Sequence, residues 1–109
     1  MTDLADRDCV PCKGGVPPLQ GAAIATLRMA LGDAWEVVEE HHLEREYRFP
    51  DFVTALAFVN RVGEVAEEQN HHPDLELGWG RAKVTIYTHK IDGLTPSDFV
   101  FAAKCDRVV

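Results

Sequence analysis

Glu67-Glu68-Gln69-Asn70-His71-His72-Pro73 runs straight into Asp74-Leu75-Glu76-Leu77-Gly78-Trp79-Gly80-Arg81 and then Ala82-Lys83-Val84-Thr85-Ile86-Tyr87-Thr88-His89. Across this stretch the apolar period changes from helical to strand-like. Upstream, Phe52, Ala55, Leu56, Val59, Val62 and Ala66 recur at steps of three and four, which predicts an amphipathic helix. Asp51 is placed to cap its start, and Pro73 disfavours a helical His72, so the helix should stop before it. Downstream, Leu75, Leu77 and Trp79 share one phase, and Val84 and Ile86 share another. Lys83, Thr85, Tyr87 and His89 occupy the opposite phase of that second strand, so a hairpin turning near Gly78 to Arg81 is expected.

Working outward, Leu19, Ala22, Ala23, Ala25, Leu27 and Ala30 suit a first helix that Gly32 can stop. Trp35 to Val38 and Leu43 to Phe49 read as strands joined by the polar turn Glu39-Glu40-His41-His42; Arg45 alone breaks the alternation of the second. His41 and His42 receive no role. Thr95-Pro96-Ser97-Asp98 is a helix start, with Thr95 as cap, Pro96 in the first turn and Asp98 as capping-box partner. Phe99, Ala102 and Ala103 should face the core. Helix, two strands, helix, two strands, helix is the order of an α+β domain with helices on an antiparallel sheet. Residues 1–17 form a flexible lead-in ending in the Gly/Pro-rich run Gly14 to Pro18, and residues 18–109 form one domain.

At 109 residues, with 46% hydrophobic and 27% charged residues, the composition is that of one globular domain. The formal net charge of −7 argues against nucleic acid and against anionic membrane surfaces, both of which need surplus Lys and Arg. No apolar run exceeds five residues (Ala55 to Val59, Phe99 to Ala103), too short to span a bilayer. The acidic N-terminus lacks an apolar stretch, and three cysteines (Cys9, Cys12, Cys105) form an odd set, so a cytoplasmic protein is expected.

Chemistry concentrates at His71-His72. Two imidazoles at a helix end are either solvated loop residues or groups that exchange protons near neutral pH. His89 lies seventeen residues beyond His72, and a hairpin returns its end beside its beginning, so the three histidines should meet at one rim of the sheet. Glu67 stands one helical turn before His71. Asp98 is fully explained as a cap, and on that reading Asp98→Asn is mild. Zinc is a weaker alternative: Glu67 and His71 share a helix face, but no pair of histidines is separated by Glu-x-x, and adjacent histidines chelate one ion poorly. Cys9-Val10-Pro11-Cys12 lacks a partner motif, so its thiols read as bystanders.

Glu67-x-x-x-His71-His72-Pro73, the aromatic Trp79, Thr88-His89 and Gly93-Leu94 followed by Asp98 resemble the pterin-4a-carbinolamine dehydratases. The resemblance runs from about Trp35 to Val108 and includes the strand tryptophan Trp35 and the helix from Phe49 to Val62. It implies a four-stranded antiparallel sheet with three helices on one face, assembled as dimers or tetramers. It implies dehydration of 4a-hydroxytetrahydropterin to quinonoid dihydropterin, which recycles the cofactor of aromatic amino-acid hydroxylases, with no metal and no bound cofactor. Family roles fall on His71, His72 and His89 for catalysis, and on Glu67, Pro73 and Asp98 for binding and orientation. Some members are implied instead to serve as protein partners, including a Rubisco assembly factor of carboxysome operons. Edge strands carrying Leu75 and Leu77 independently predict self-association.

Overall fold

The computed structural model describes residues 3–10 and 16–109. Three helices, α1 (Gly21–Leu31), α2 (Phe52–Gln69) and α3 (Pro96–Arg107), accompany four strands, β1 (Glu36–Val38), β2 (His42–Arg48), β3 (Asp74–Gly78) and β4 (Arg81–Ile86). The sheet is antiparallel throughout in the order β1-β2-β4-β3, the expected α+β arrangement. Leu43 pairs with Ile86, Arg45 with Val84 and Tyr47 with Ala82, while Leu75 and Leu77 of β3 pair with Val84 and Ala82 on the other side of β4. These rows face the helices. Glu44, Glu46, Lys83 and Glu76 occupy the alternate rows and leave the outer face charged. No helix among the described residues is long and apolar enough to cross a membrane.

α2 begins where Asp51 accepts from the Thr54 amide at 2.9 Å, a cap contributing about 1 kcal/mol. Its buried stripe is Ala55, Phe58, Val62 and Ala66. Phe52 and Leu56 were expected in this stripe but are exposed, because the helix is rotated to put Phe58 against Tyr47 and Phe49. α3 is buried nearly all round: Phe99, Val100, Phe101, Ala102 and Cys105 are all inside. The reason is the lead-in. Leu4 and Ala5 lie in a short 3-10 turn (Leu4–Asp6) packed on α3, opposite the sheet. Lys104 Nζ donates to the Ala5 carbonyl at 2.8 Å, and Arg107 pairs with Asp3 and Asp6. Residues 3–10 thus make specific contacts with α3. Cys12 lies outside the described residues.

Arg45, the exception in its strand, faces the helices and is satisfied there. Its guanidinium donates to Asp106 of α3 at 2.8 Å and lies 4.3 Å from the Tyr47 ring centre. Trp35 Nε1 and the Tyr47 hydroxyl donate to the same carboxylate. Burial and the neighbouring Asp106 push the Tyr47 phenol far above its ordinary range, so it stays a donor.

Candidate active site

α2 ends because Asn70 adopts the left-handed conformation (φ 51), with the amides of Asn70 and His71 both donating to the Ala66 carbonyl. The chain leaves the helix axis there, so Glu67 and His71 do not share a helix face. Glu67 meets His72 instead, with Oε2 2.6 Å from His72 Nε2, both side chains well exposed. His71 turns inward, and its Nε2 lies 2.6 Å from Asp98 Oδ1. The His71 side chain is 15% exposed and Asp98 is fully buried, so this contact is shielded from water. Phe101 meets the His71 ring edge-on.

Asp98 divides its two oxygens. Oδ2 accepts from the Thr95 amide at 2.8 Å, completing the capping box, and from the Thr88 hydroxyl at 2.9 Å, while Oδ1 is left for His71. These donors offset the cost of burying a carboxylate. An N–H held by Asp98 leaves Nδ1 of His71 for other partners, as a lone pair on the neutral ring and as an N–H donor on the protonated one.

Thr88 is fixed twice, through Asp98 and through its amide, which donates to the Gly93 carbonyl at 2.9 Å. Gly93 also lets Pro18 pack closely, since a Cβ there would sit 2.5 Å from the Pro18 side chain. His89 follows Thr88 and opens a 3-10 turn (His89–Ile91), since β4 already ends at Ile86; its side chain is exposed. Thus His71, Asp98 and Thr88 are joined by hydrogen bonds, and His72 and His89 are the chain neighbours of His71 and Thr88. Pro73, half-buried, leads His72 into β3. Among the described residues, no three His, Cys, Asp or Glu side chains gather round a common point.

Two contacts were not visible in the sequence. Thr88 stands in the Thr88-His89 motif, but its bond to Asp98, ten positions away, comes from the fold alone. His41, read as an exposed turn residue, lies with Nε2 2.7 Å from Asp92 and its ring 4.5 Å from that of Tyr87, which in turn lies 4.3 Å from His89. No periodicity or motif links positions 41, 87 and 92.

The sequence profile described as "Pterin 4 alpha carbinolamine dehydratase" matches residues 17–108. The chain belongs to that family. A relative from Rubrobacter xylanophilus, provisionally named as a pterin-4-alpha-carbinolamine dehydratase, is 66% identical over 108 residues, covering 99% of this chain and 100% of its own. One from Alkaliphilus metalliredigens with the same provisional name is 50% identical, over 98% of this chain and 96% of its own. Among solved structures, a transcriptional coactivator/pterin dehydratase from Brucella melitensis superposes with a TM-score of 0.77 at 30% identity, over 84% of this chain and 97% of that one. A pterin dehydratase-like RuBisCO assembly factor of the α-carboxysome shares the fold, with a TM-score of 0.60 at 19% identity over 72% of this chain and 92% of its own. The carbinolamine dehydratase family is therefore matched along almost the whole described domain.

Proposed function

We propose that this protein dehydrates 4a-hydroxytetrahydropterin to quinonoid dihydropterin and water by histidine acid–base catalysis, recycling a tetrahydrobiopterin-type cofactor. The observation that carries this reading is the His71–Asp98 pair, a shielded imidazole with one nitrogen committed to a buried carboxylate. Membership of a dehydratase family supports it.

Losing water from a carbinolamine requires protonating the C4a hydroxyl as its C–O bond breaks. The N5 lone pair forms the new C4a=N5 bond, and the N5 proton then leaves to a base. One proton is given and one is taken, so the proton count is unchanged, and the starting state returns once the base passes its proton to solvent and the acid regains one. Histidine suits both transfers near neutral pH. His71 and His89 come from different elements, a helix end and a turn after β4, so the two can serve hydroxyls on opposite faces of the flat ring. His72, steadied by Glu67, would bind the pterin and act as base. No metal or bound cofactor enters these steps. The odd cysteine count supports a cytoplasmic location, and the edge strands support a homodimer or homotetramer. A protein-partner role, as in the RuBisCO assembly factor, has only a shared fold behind it.

The test is rapid-mixing kinetics on freshly generated 4a-hydroxytetrahydropterin. The expected result is acceleration over spontaneous dehydration, falling about 10²–10⁴-fold in His71→Ala and in His72→Ala. No acceleration by the wild type, or wild-type rates in both variants, would end this reading.

A further inference from the structure

His71 and His72 each have an orienting carboxylate, Asp98 and Glu67 respectively. His89, the third histidine of the proposed site, is held differently. Its imidazole lies against the ring of Tyr87, centroids 4.3 Å apart and tilted by 44°. Tyr87 is half-buried and also lies against His41, at 4.5 Å and 41°. Both nitrogens of His41 are engaged, Nε2 with Asp92 at 2.7 Å and Nδ1 with His42 Nδ1 at 3.0 Å, so the ring cannot turn freely. Asp92 closes the circuit, because its amide donates to the His89 carbonyl at the end of the same turn.

A second observation concerns the backbone that delivers His41. The β1–β2 turn places Glu39 and Glu40 in the left-handed region, φ 52 and 56, where non-glycine residues are uncommon. The His41 amide closes this tight turn on the Val38 carbonyl at 2.8 Å, and Glu40 is anchored by accepting from the Gly21 amide at 2.7 Å. The strained turn sets His41 where it reaches both Asp92 and Tyr87.

We infer that Tyr87 and His41 are positioning residues for His89. A ring fixed by stacking has neither nitrogen committed to a protein partner, whereas a ring fixed by a carboxylate has one already spoken for. His89 is thereby oriented while, among the described residues, neither of its nitrogens has a hydrogen-bond partner, which leaves both for the substrate. The kinetic part of this inference rests on the dehydratase reading; the geometric part does not.

The experiment uses the full chain and two readouts. In proton NMR, the His89 ring C–H signals, assigned by their loss in His89→Gln, should lie upfield in the wild type because of the Tyr87 ring current. They should move toward free-histidine positions in Tyr87→Leu and, less far, in His41→Ala, and stay in place in Tyr87→Phe. Kinetically, Tyr87→Leu and His41→Ala should each lower kcat about tenfold with little change in KM, and should cost nothing further in a His89→Ala background. Unmoved His89 signals in both variants overturn the inference. So do rate losses that multiply with that of His89→Ala, since a merely structural role would do this. Asp92→Asn, at an exposed position, supplies a further variant should Tyr87→Leu fail to fold. If the wild type has no turnover, the dehydratase reading fails on its own, and the NMR result still decides the stack.

Discussion

Asp98 performs two jobs with one carboxylate, and the second is invisible in its local sequence. Thr-Pro-Ser-Asp predicts a cap, which Oδ2 is; the His71 contact through Oδ1 spans 27 positions and follows only from the fold. On the capping reading, Asp98→Asn should be mild. The contact with His71 argues for a larger effect. The amide must keep its oxygen toward Thr95 and Thr88, so its NH2 faces His71 Nε2. That nitrogen must then accept, so the protonated ring, the form that can give a proton, loses its carboxylate partner and faces an N–H instead. Asp98→Asn should therefore lower kcat by about 10²–10⁴-fold, like His71→Ala, while the melting curve changes little. A drop of less than threefold would show that Asp98 is only a cap. Glu39 gives a second residue-scale prediction. A left-handed residue costs about 1–2 kcal/mol, and asparagine tolerates the conformation better. Glu39→Asn should raise the melting temperature by a few degrees, read by circular dichroism.

Among the elements, those with a single buried face were legible and those buried twice were not. α2 was readable from its three–four spacing, and only its rotation was misjudged: Leu56 and Phe58 both fit the spacing, and contact with Tyr47 and Phe49 decides between them. α3 has little exposed surface because the Leu4–Asp6 turn covers what would have been its solvent side. The β1–β2 hairpin was legible from its polar turn, but not the node behind it. Arg45 broke the β2 alternation because its partner, Asp106, lies 61 positions away. Removing that partner strands three donors, two of them on the buried Trp35 and Tyr47. Asp106→Ala should cost about 2–4 kcal/mol, seen as a lower denaturant midpoint, with Arg45→Leu partly compensating in the double variant. A loss below 0.5 kcal/mol would mean that water replaces the carboxylate.

For the molecule as a whole, association and the strap carry the remaining predictions. Leu75 and Leu77 turn toward the helices, so they supply less outward apolar surface than their edge position suggests. Phe52, Val53 and Leu56 on α2 are exposed together and supply more. A homodimer or homotetramer by light scattering is expected, with Val53→Glu shifting it toward monomer; a wild-type monomer at micromolar concentration would refute this. Burial pushes the Cys9 thiol up to about 11 and raises that of Cys105 as well. A buried thiol favours its neutral form, so native stability should fall as pH rises from about 9 toward 11. At pH 8, in a Cys12→Ser background, both thiols should be alkylated at least about tenfold more slowly than in the unfolded chain.

The docked strap also dictates an order of events during synthesis. Val10 donates to Ser97 Oγ across 87 positions, and Lys104 reaches Ala5 across 99. Residues 3–10 have nothing to dock on until α3 has been made, so a ribosome must add nearly the whole domain before Leu4 can leave water. Before it docks, α3's outer flank has no cover, and Ser97, beside Asp98, lacks its Val10 partner. The end of the domain that holds the His71–Asp98 pair should thus mature last, after the sheet has formed, and a nascent chain arrested before residue 97 should still be cut by protease within residues 3–10.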